Sequence, residues 1–344
     1  MIIRTQAFAR AGLIGNPSDG YYGKTISFSI RNFSARVTCY ESPRLIIHPQ
    51  RADRGDFDSV EELVRDVGVN GYYGGIRLIK AAIKRFHAYC RDHGYELDDR
   101  NFTIEYETDI PVRVGMAGSS AIVTATIHAL CSFYGIEIPK PLLPNLALSV
   151  ELDELGIGAG LQDRVIQVYE GAVFMDFDRE LMDRQGHGNY ESIDSTKLPP
   201  LYVAYLPILA EGTEVPHNDL RGRFNRGEQV VLDAIDRFAE LAQEARDLIV
   251  AGRGEEIGPL MDENFDLRLK VMKVHEGNLR MVDIGRREGA AVKLAGSGGT
   301  VVGCYDGDPE RLARIERGYA EIGAGLVRPV IEPHPTEADL FNGG

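Results

Sequence analysis

Residues 25–30, 35–40 and 44–48 alternate apolar and polar positions and are rich in β-branched and aromatic types. That period of two predicts three strands separated by short polar turns. The period then lengthens. Ile76, Ile79, Ile83, Phe86 and Cys90 fall on one face of a helix over 75–93, and Gly94 supplies its stop. Residues 102–107 predict another strand. A glycine- and serine-rich loop follows at 111–121, then an apolar stretch, 122–134, without Gly or Pro and ended by Gly135. Strand, loop and apolar helix is the expected order there.

Residues 183–197 are polar and are expected to be irregular. With Leu198-Pro199-Pro200 they mark a boundary between a domain over 1–198 and one over 199–344. Beyond it, 201–206 predicts a strand. Val230, Ala234, Phe238, Leu241, Ala245 and Leu248 place a helix over 229–250, and further helices are expected near 255–273 and 275–288. The tail predicts strands near 290–294, 300–305 and 326–331 and a helix over 310–322. Strands and helices mix without strict alternation, so the expected class is α+β rather than a doubly wound sheet.

The formal net charge of −14 argues against nucleic acid as a partner, because such a surface repels polyphosphates at long range. It leaves room for a nucleotide held in a small pocket by oriented backbone N–H groups. Cys39, Cys90, Cys131 and Cys304 are scattered and form no CxxC pair, which predicts reduced thiols rather than a zinc site or a disulfide framework. The start of the chain lacks the basic and apolar segments of a signal peptide, and no apolar run approaches the ~18 residues of a membrane span. A cytoplasmic protein is expected, with no membrane partner. The eight histidines show no HxxxH or HExxH spacing.

The loop reads Pro111-Val112-Arg113-Val114-Gly115-Met116-Ala117-Gly118-Ser119-Ser120-Ala121. Glycines let a backbone take positive φ and approach a ligand, and the following helix adds its positive end. This suits a phosphate, although no lysine follows as in a P-loop. A helix capped by Ser119 or Ser120 after a tight turn explains the same residues.

Three stretches in order resemble the GHMP kinase superfamily: Arg10-Ala11-Gly12-Leu13-Ile14-Gly15-Asn16-Pro17-Ser18-Asp19, the 111–121 loop, and Lys293-Leu294-Ala295-Gly296-Ser297-Gly298-Gly299-Thr300. Gly15-Asn16-Pro17-Ser18-Asp19-Gly20-Tyr21-Tyr22-Gly23 is similar to the first motif of the glucuronokinase family, where other sugar kinases carry Glu-His-Thr-Asp. Ala159-Gly160-Leu161-Gln162-Asp163-Arg164-Val165 and Asn264-Phe265-Asp266-Leu267-Arg268 are similar to that family too. The third motif, with one Gly-Ser-Gly-Gly unit, is shorter than the superfamily's longest glycine runs. The resemblance implies an α+β nucleotide-binding domain with a left-handed βαβ crossover, followed by a ferredoxin-like domain. It implies ATP and Mg2+ as cofactors, a small-molecule sugar as substrate, and transfer of the γ-phosphate to the anomeric hydroxyl of D-glucuronate by a monomer or homodimer.

The resemblance also assigns roles. Pro111, Gly115, Met116, Ala117, Gly118, Ser119, Ser120 and Ala121 would bind the nucleotide. Asp163 would face the acceptor hydroxyl as base; a helix cap is the alternative. Glu151, twelve residues earlier, would hold magnesium with Ser120, or else belong to a solvated acidic face with Asp153 and Glu154. Arg10 would stabilise the transferring phosphoryl group or lower the acceptor's pKa, or else lie on the surface of an edge strand. Asn16 and Asp19 suit sugar hydroxyls and also form a strong turn sequence. Arg164 and Lys24 are candidate partners for a sugar carboxylate. Gly296, Ser297 and Gly298 would bring backbone close to substrate, and a hairpin turn explains them equally. Tyr21-Tyr22 and Tyr72-Tyr73 are read as core or site-wall aromatics, with Tyr21 a substrate contact. Another sugar, a mevalonate-like alcohol, or a ligand sensor without catalysis remain as alternatives.

Overall fold

The computed structural model describes residues 1–50, 53, 59–60, 74–206 and 214–332. Tyr72 and Tyr73 lie outside the described residues. The chain runs through β1 (Ile2–Ile14), β2 (Lys24–Glu41), β3 (Ile46–His48), the helix Gly75–Asp92, β4 (Phe102–Thr108) and the helix Gly118–Tyr134. Helices Leu143–Ser149 and Leu161–Tyr169 flank a π-helical turn, Val150–Glu154. Next come β5 (Ala172–Asp176), the helix Arg179–Gln185, β6 (Asn189–Ile193) and β7 (Leu201–Tyr205). Four helices follow: Glu214–Asn225, Gln229–Val250, Gly258–Val271 and Glu276–Arg287. The chain then forms β8 (Ala291–Leu294), β9 (Thr300–Cys304), the helix Pro309–Ala320 and β10 (Gly325–Val327).

Three expectations need correcting. β2 is one strand of 18 residues, not two strands and a turn. Arg31-Asn32-Phe33-Ser34 is polar, but its backbone finds partners: Arg31 N donates to Val330 O (3.1 Å) and Ser34 N to Asp109 Oδ1 (2.6 Å). β2 changes neighbour instead of turning. Its residues 24–28 pair antiparallel with β5, and 35–41 pair antiparallel with β4. Residues 183–197 are not irregular. Asp178 caps the helix Arg179–Gln185 by accepting from Leu181 N, and β6 follows with only Ile193 fully buried. β1 entered the sequence reading only as an alternative edge strand around Arg10, because its residues from Ala7 to Ile14 are buried without a break and so carry no alternation.

The chain divides into two compact units. The first comprises Met1–Ala9, Phe33–Arg113 and Ala117–Val168. Its helices Gly75–Asp92 and Gly118–Tyr134 pack against each other and against strand residues such as Phe102 and Ile104. The Phe102 and Phe133 rings meet edge to face at 5.3 Å. The helix Gly118–Tyr134 is buried on most of its circumference, as its apolar composition requires.

The second unit comprises Arg10–Asn32, Val114–Met116 and Tyr169–Gly344. Its four-stranded sheet runs β10-β7-β9-β8, antiparallel throughout. That order, with helices between β7 and β8 and between β9 and β10, is the ferredoxin-like arrangement. Tyr202, Met281, Val292, Leu294, Val301, Ile315 and Tyr319 fill its core. A second core gathers Tyr21, Leu220, Val231, Ile235, Phe238 and Val271. Cys39, Cys90, Cys131 and Cys304 are free thiols, each with its pKa pushed up by burial.

Candidate active site

In the first unit the chemistry gathers where the helix Gly118–Tyr134 begins. Ala117 precedes it in a left-handed conformation (φ 63°). Three donors converge on the Ala117 carbonyl: Ser120 Oγ (3.1 Å), Gln167 Nε2 (2.9 Å) and Ala121 N (3.1 Å). The expected helix start at residue 122 thus moves back to Gly118. Ser119 and Ser120 lie in its first turn, where backbone N–H groups have no intrahelical acceptor.

Glu151 lies in the π-helical turn and is only 2% exposed. It therefore does not form a solvated face with Asp153 and Glu154. Those two are paired outward, Glu154 with Lys84 (2.5 Å) and Asp153 with Arg85 (3.3 Å). The partner of Glu151 is Arg164, itself 4% exposed, which donates Nε (3.0 Å) and Nη2 to Oε2. Arg164 also donates Nη1 to Gly160 O (2.8 Å) and lies 3.5 Å from Asp163 Oδ2. Asp163 stands in the first turn of the helix Leu161–Tyr169 with its side chain 21% exposed. The structure thus gathers Glu151, Asp163 and Arg164, and engages Arg164 with acids of its own chain.

In the second unit, Arg10 is 6% exposed, which overturns the surface alternative. Its Nη1 donates to Gly115 O (2.7 Å), and its backbone N donates to Met116 O (3.3 Å). Gly115 must be glycine. Its φ is +77°, and a Cβ there would stand 2.5 Å from Gly298 O. The β8–β9 turn, 295–299, is a hairpin connection, and its backbone is also bound by side chains. Arg268 Nη1 donates to Gly296 O (2.9 Å), Asn278 Oδ1 accepts from Gly299 N (2.8 Å), and Thr300 Oγ1 donates to Val114 O.

The loop after β1 is held as firmly. Asn264 accepts from Gly15 N (2.7 Å) and donates to Asn16 O (3.2 Å). Lys293 is buried and uses all three ammonium donors, on Gly12 O (3.0 Å), Asn16 Oδ1 (2.6 Å) and Leu294 O (2.9 Å). Burial, then the neighbouring Arg268 and Arg10 charges, hold its pKa well below the usual lysine range. Burial likewise pushes the Arg268 guanidinium down to about 10.

Two other candidates, Lys24 and Tyr21, also lie in the second unit. Lys24 pairs with Asp176 (3.2 Å) and Gln243 (3.0 Å). Tyr21 is a core residue against Phe224 (4.8 Å between centroids), with the Arg221 guanidinium over its ring. Burial raises its pKa. Asp19 lies in the short 3₁₀ turn Ser18–Tyr21, partly exposed. Lys293, Asn264 and Arg268 were quoted in the sequence only as members of matching stretches, without a role, and Asn278 was not named. The available signal was position: Lys293 opens the third motif, and Asn264 and Arg268 sit one helical turn apart. A cavity of about 820 Å³ in the second unit is lined by residues such as Phe265, Arg280, Arg286 and Arg314 and by none of the candidate residues.

Residues 77–171 match the family model "GHMP kinases N terminal domain", and residues 245–321 match "GHMP kinases C terminal". "Probable glucuronokinase 2" of Arabidopsis thaliana is 40% identical over 336 residues, 96% of this chain and 91% of that protein. "Glucuronokinase 1" of the same plant is 39% identical over 337 residues, 96% and 92% of the two chains. The chain belongs to the GHMP kinase family. The crystal structure of Lactococcus lactis galactokinase complexed with galactose shares the fold of this GHMP kinase, with a TM-score of 0.77 at 16% identity over 98% of this chain and 95% of that one. As a family member the protein is a small-molecule kinase. Among its described residues no helix is long and apolar enough to cross a membrane.

Proposed function

We propose that this GHMP kinase is a sugar-1-kinase that transfers the γ-phosphate of ATP to the anomeric hydroxyl of D-glucuronate. The observation that carries this reading is the 40% identity to a probable glucuronokinase across nearly the whole chain. Asp163 accepts the hydroxyl proton. The sugar oxygen then bonds to the γ-phosphorus as the bond to the bridging oxygen breaks and ADP leaves.

The segment Gly115-Met116-Ala117-Gly118-Ser119-Ser120-Ala121 holds the ATP phosphates through backbone N–H groups at the helix start, and Pro111, which has no N–H, lines the nucleotide. Ser120 and Glu151 offer oxygen donors only, the set that suits magnesium. Bound there, magnesium would neutralise phosphate charge; Arg164 fixes the Glu151 carboxylate for it. Arg10 stabilises the transferring group. Asn16 and Asp19 receive the sugar, and Gly296, Ser297 and Gly298 bring backbone close to it. The organisation is an ATP-binding domain over 1–198 and a second domain over 199–344. The four free thiols support a cytoplasmic location.

A panel of sugars and mevalonate with ATP and magnesium, read by ADP release, tests the reading. Glucuronate is expected to be preferred well above glucose and galactose; preference for another alcohol would replace it. Asp163→Asn should lower turnover roughly 10²–10⁴-fold while ATP binding survives. Unchanged turnover removes Asp163 from the mechanism.

A further inference from the structure

Lys293 and Arg268 are buried in the second unit, and neither has an acidic partner among the described residues. Buried charges are ordinarily paired, because leaving one uncompensated is costly. Arg268 in addition has a buried Nε with no hydrogen-bond partner. The two cations, with Arg10 near them, raise a positive field around the loop Gly12–Asn16 and the Gly296 peptide. Among the described residues no carboxylate pairs with Lys293 or Arg268 to offset that charge.

Asn16 joins these cations to the loop after β1. Lys293 Nζ lies 2.6 Å from its side-chain oxygen. An ammonium can only donate, so the oxygen must be the acceptor, and the amide orientation is fixed. The Nδ2 donor is thereby turned to the other side. It meets no acceptor among the described residues. The backbone of Asn16 cannot drift, because Asn264 holds its carbonyl and the N–H of Gly15.

We propose that Lys293, acting through Asn16, makes the sugar site selective for an acid: the Asn16 Nδ2 donor, in the field of Lys293 and Arg268, receives the carboxylate of a uronic acid. Lys293 is a positioning residue, and Asn16 is the contact. This rests on the sugar-kinase reading above and names the feature that would choose the substrate. An aspartate at position 16 would keep an oxygen for Lys293, cancel part of the field and remove the donor.

The test compares D-glucuronate with D-glucuronamide, a near-isostere lacking the charge, as acceptors for wild type, Asn16→Asp and Lys293→Met. Asn16→Asp should raise KM for glucuronate roughly 10- to 100-fold, the span of a charge-assisted hydrogen bond. KM for ATP should hold, and glucuronate should lose its advantage over glucuronamide by the same factor. Lys293→Met should shift that ratio in the same direction; if it does not fold, Asn16→Asp alone decides. A wild type that uses glucuronate together with an Asn16→Asp ratio within threefold of wild type overturns the selectivity role alone. A wild type that phosphorylates no uronic acid overturns both this proposal and the glucuronate reading.

Discussion

Replacing Arg164 with methionine removes the guanidinium from Glu151 and leaves an unbranched apolar chain in its place. Both residues are buried, so the Glu151 carboxylate stays in the interior without its counter-charge. Breaking a buried pair from one side costs about 3–5 kcal/mol. Urea unfolding of Arg164→Met in EDTA at pH 7 should therefore show a loss of about 3–5 kcal/mol. The double variant Glu151→Gln, Arg164→Met should recover at least about 2 kcal/mol relative to the sum of the singles, because no carboxylate is then left stranded. A loss under about 1 kcal/mol, with no recovery in the double variant, would refute the picture of a charge held in the interior by one arginine.

Two further outcomes follow from single residues. His128, on the helix Gly118–Tyr134, has its pKa pushed down to about 4, by burial first and Lys140 second. The unfolded chain takes up a proton there below about 6.5 and the folded chain only near 4, so stability should fall as pH drops through that window. Partial exposure of the side chain tempers the loss to about 1–3 kcal/mol. Urea unfolding at pH 7 and 4.5 should show it in the wild type and not in His128→Gln; equal pH dependence would exclude His128 as the cause. Gly15 has φ +91°, and a Cβ there would stand 2.2 Å from Lys24 O. Gly15→Ala should cost roughly 3 kcal/mol by denaturant unfolding and weaken sugar use. An alanine variant of wild-type stability would mean the loop has slack.

Much of the fold was legible where the chain obeys a simple period. The helix Gln229–Val250 matches its expected bounds, and the helix Gly75–Asp92 ends within a residue of them, because each has one apolar face. β1 was legible only as an alternative around Arg10, for the opposite reason: a strand buried on both faces has no alternation to read. The Arg31–Ser34 segment looked like a turn because its polar residues find partners far away in sequence. At the candidate site, sequence named residues by the motif they stood in. Arg164 was legible as a cation but not as the partner of Glu151, a bond decided by a π-helical turn that no spacing announces. Lys293 was legible as the opening of the third motif but not as a clamp; only its three acceptors show that.

The Lys293 clamp also bears on how the protein is made. It joins residues 281 and 277 positions apart. The segment carrying Asn16 therefore leaves the ribosome long before the ammonium that orients it is synthesised. A nascent chain stopped short of β8 holds the Gly12–Asn16 loop without the bond that sets its amide, so this loop cannot mature in step with its own synthesis. Its completion waits until β8 has been made and has found it.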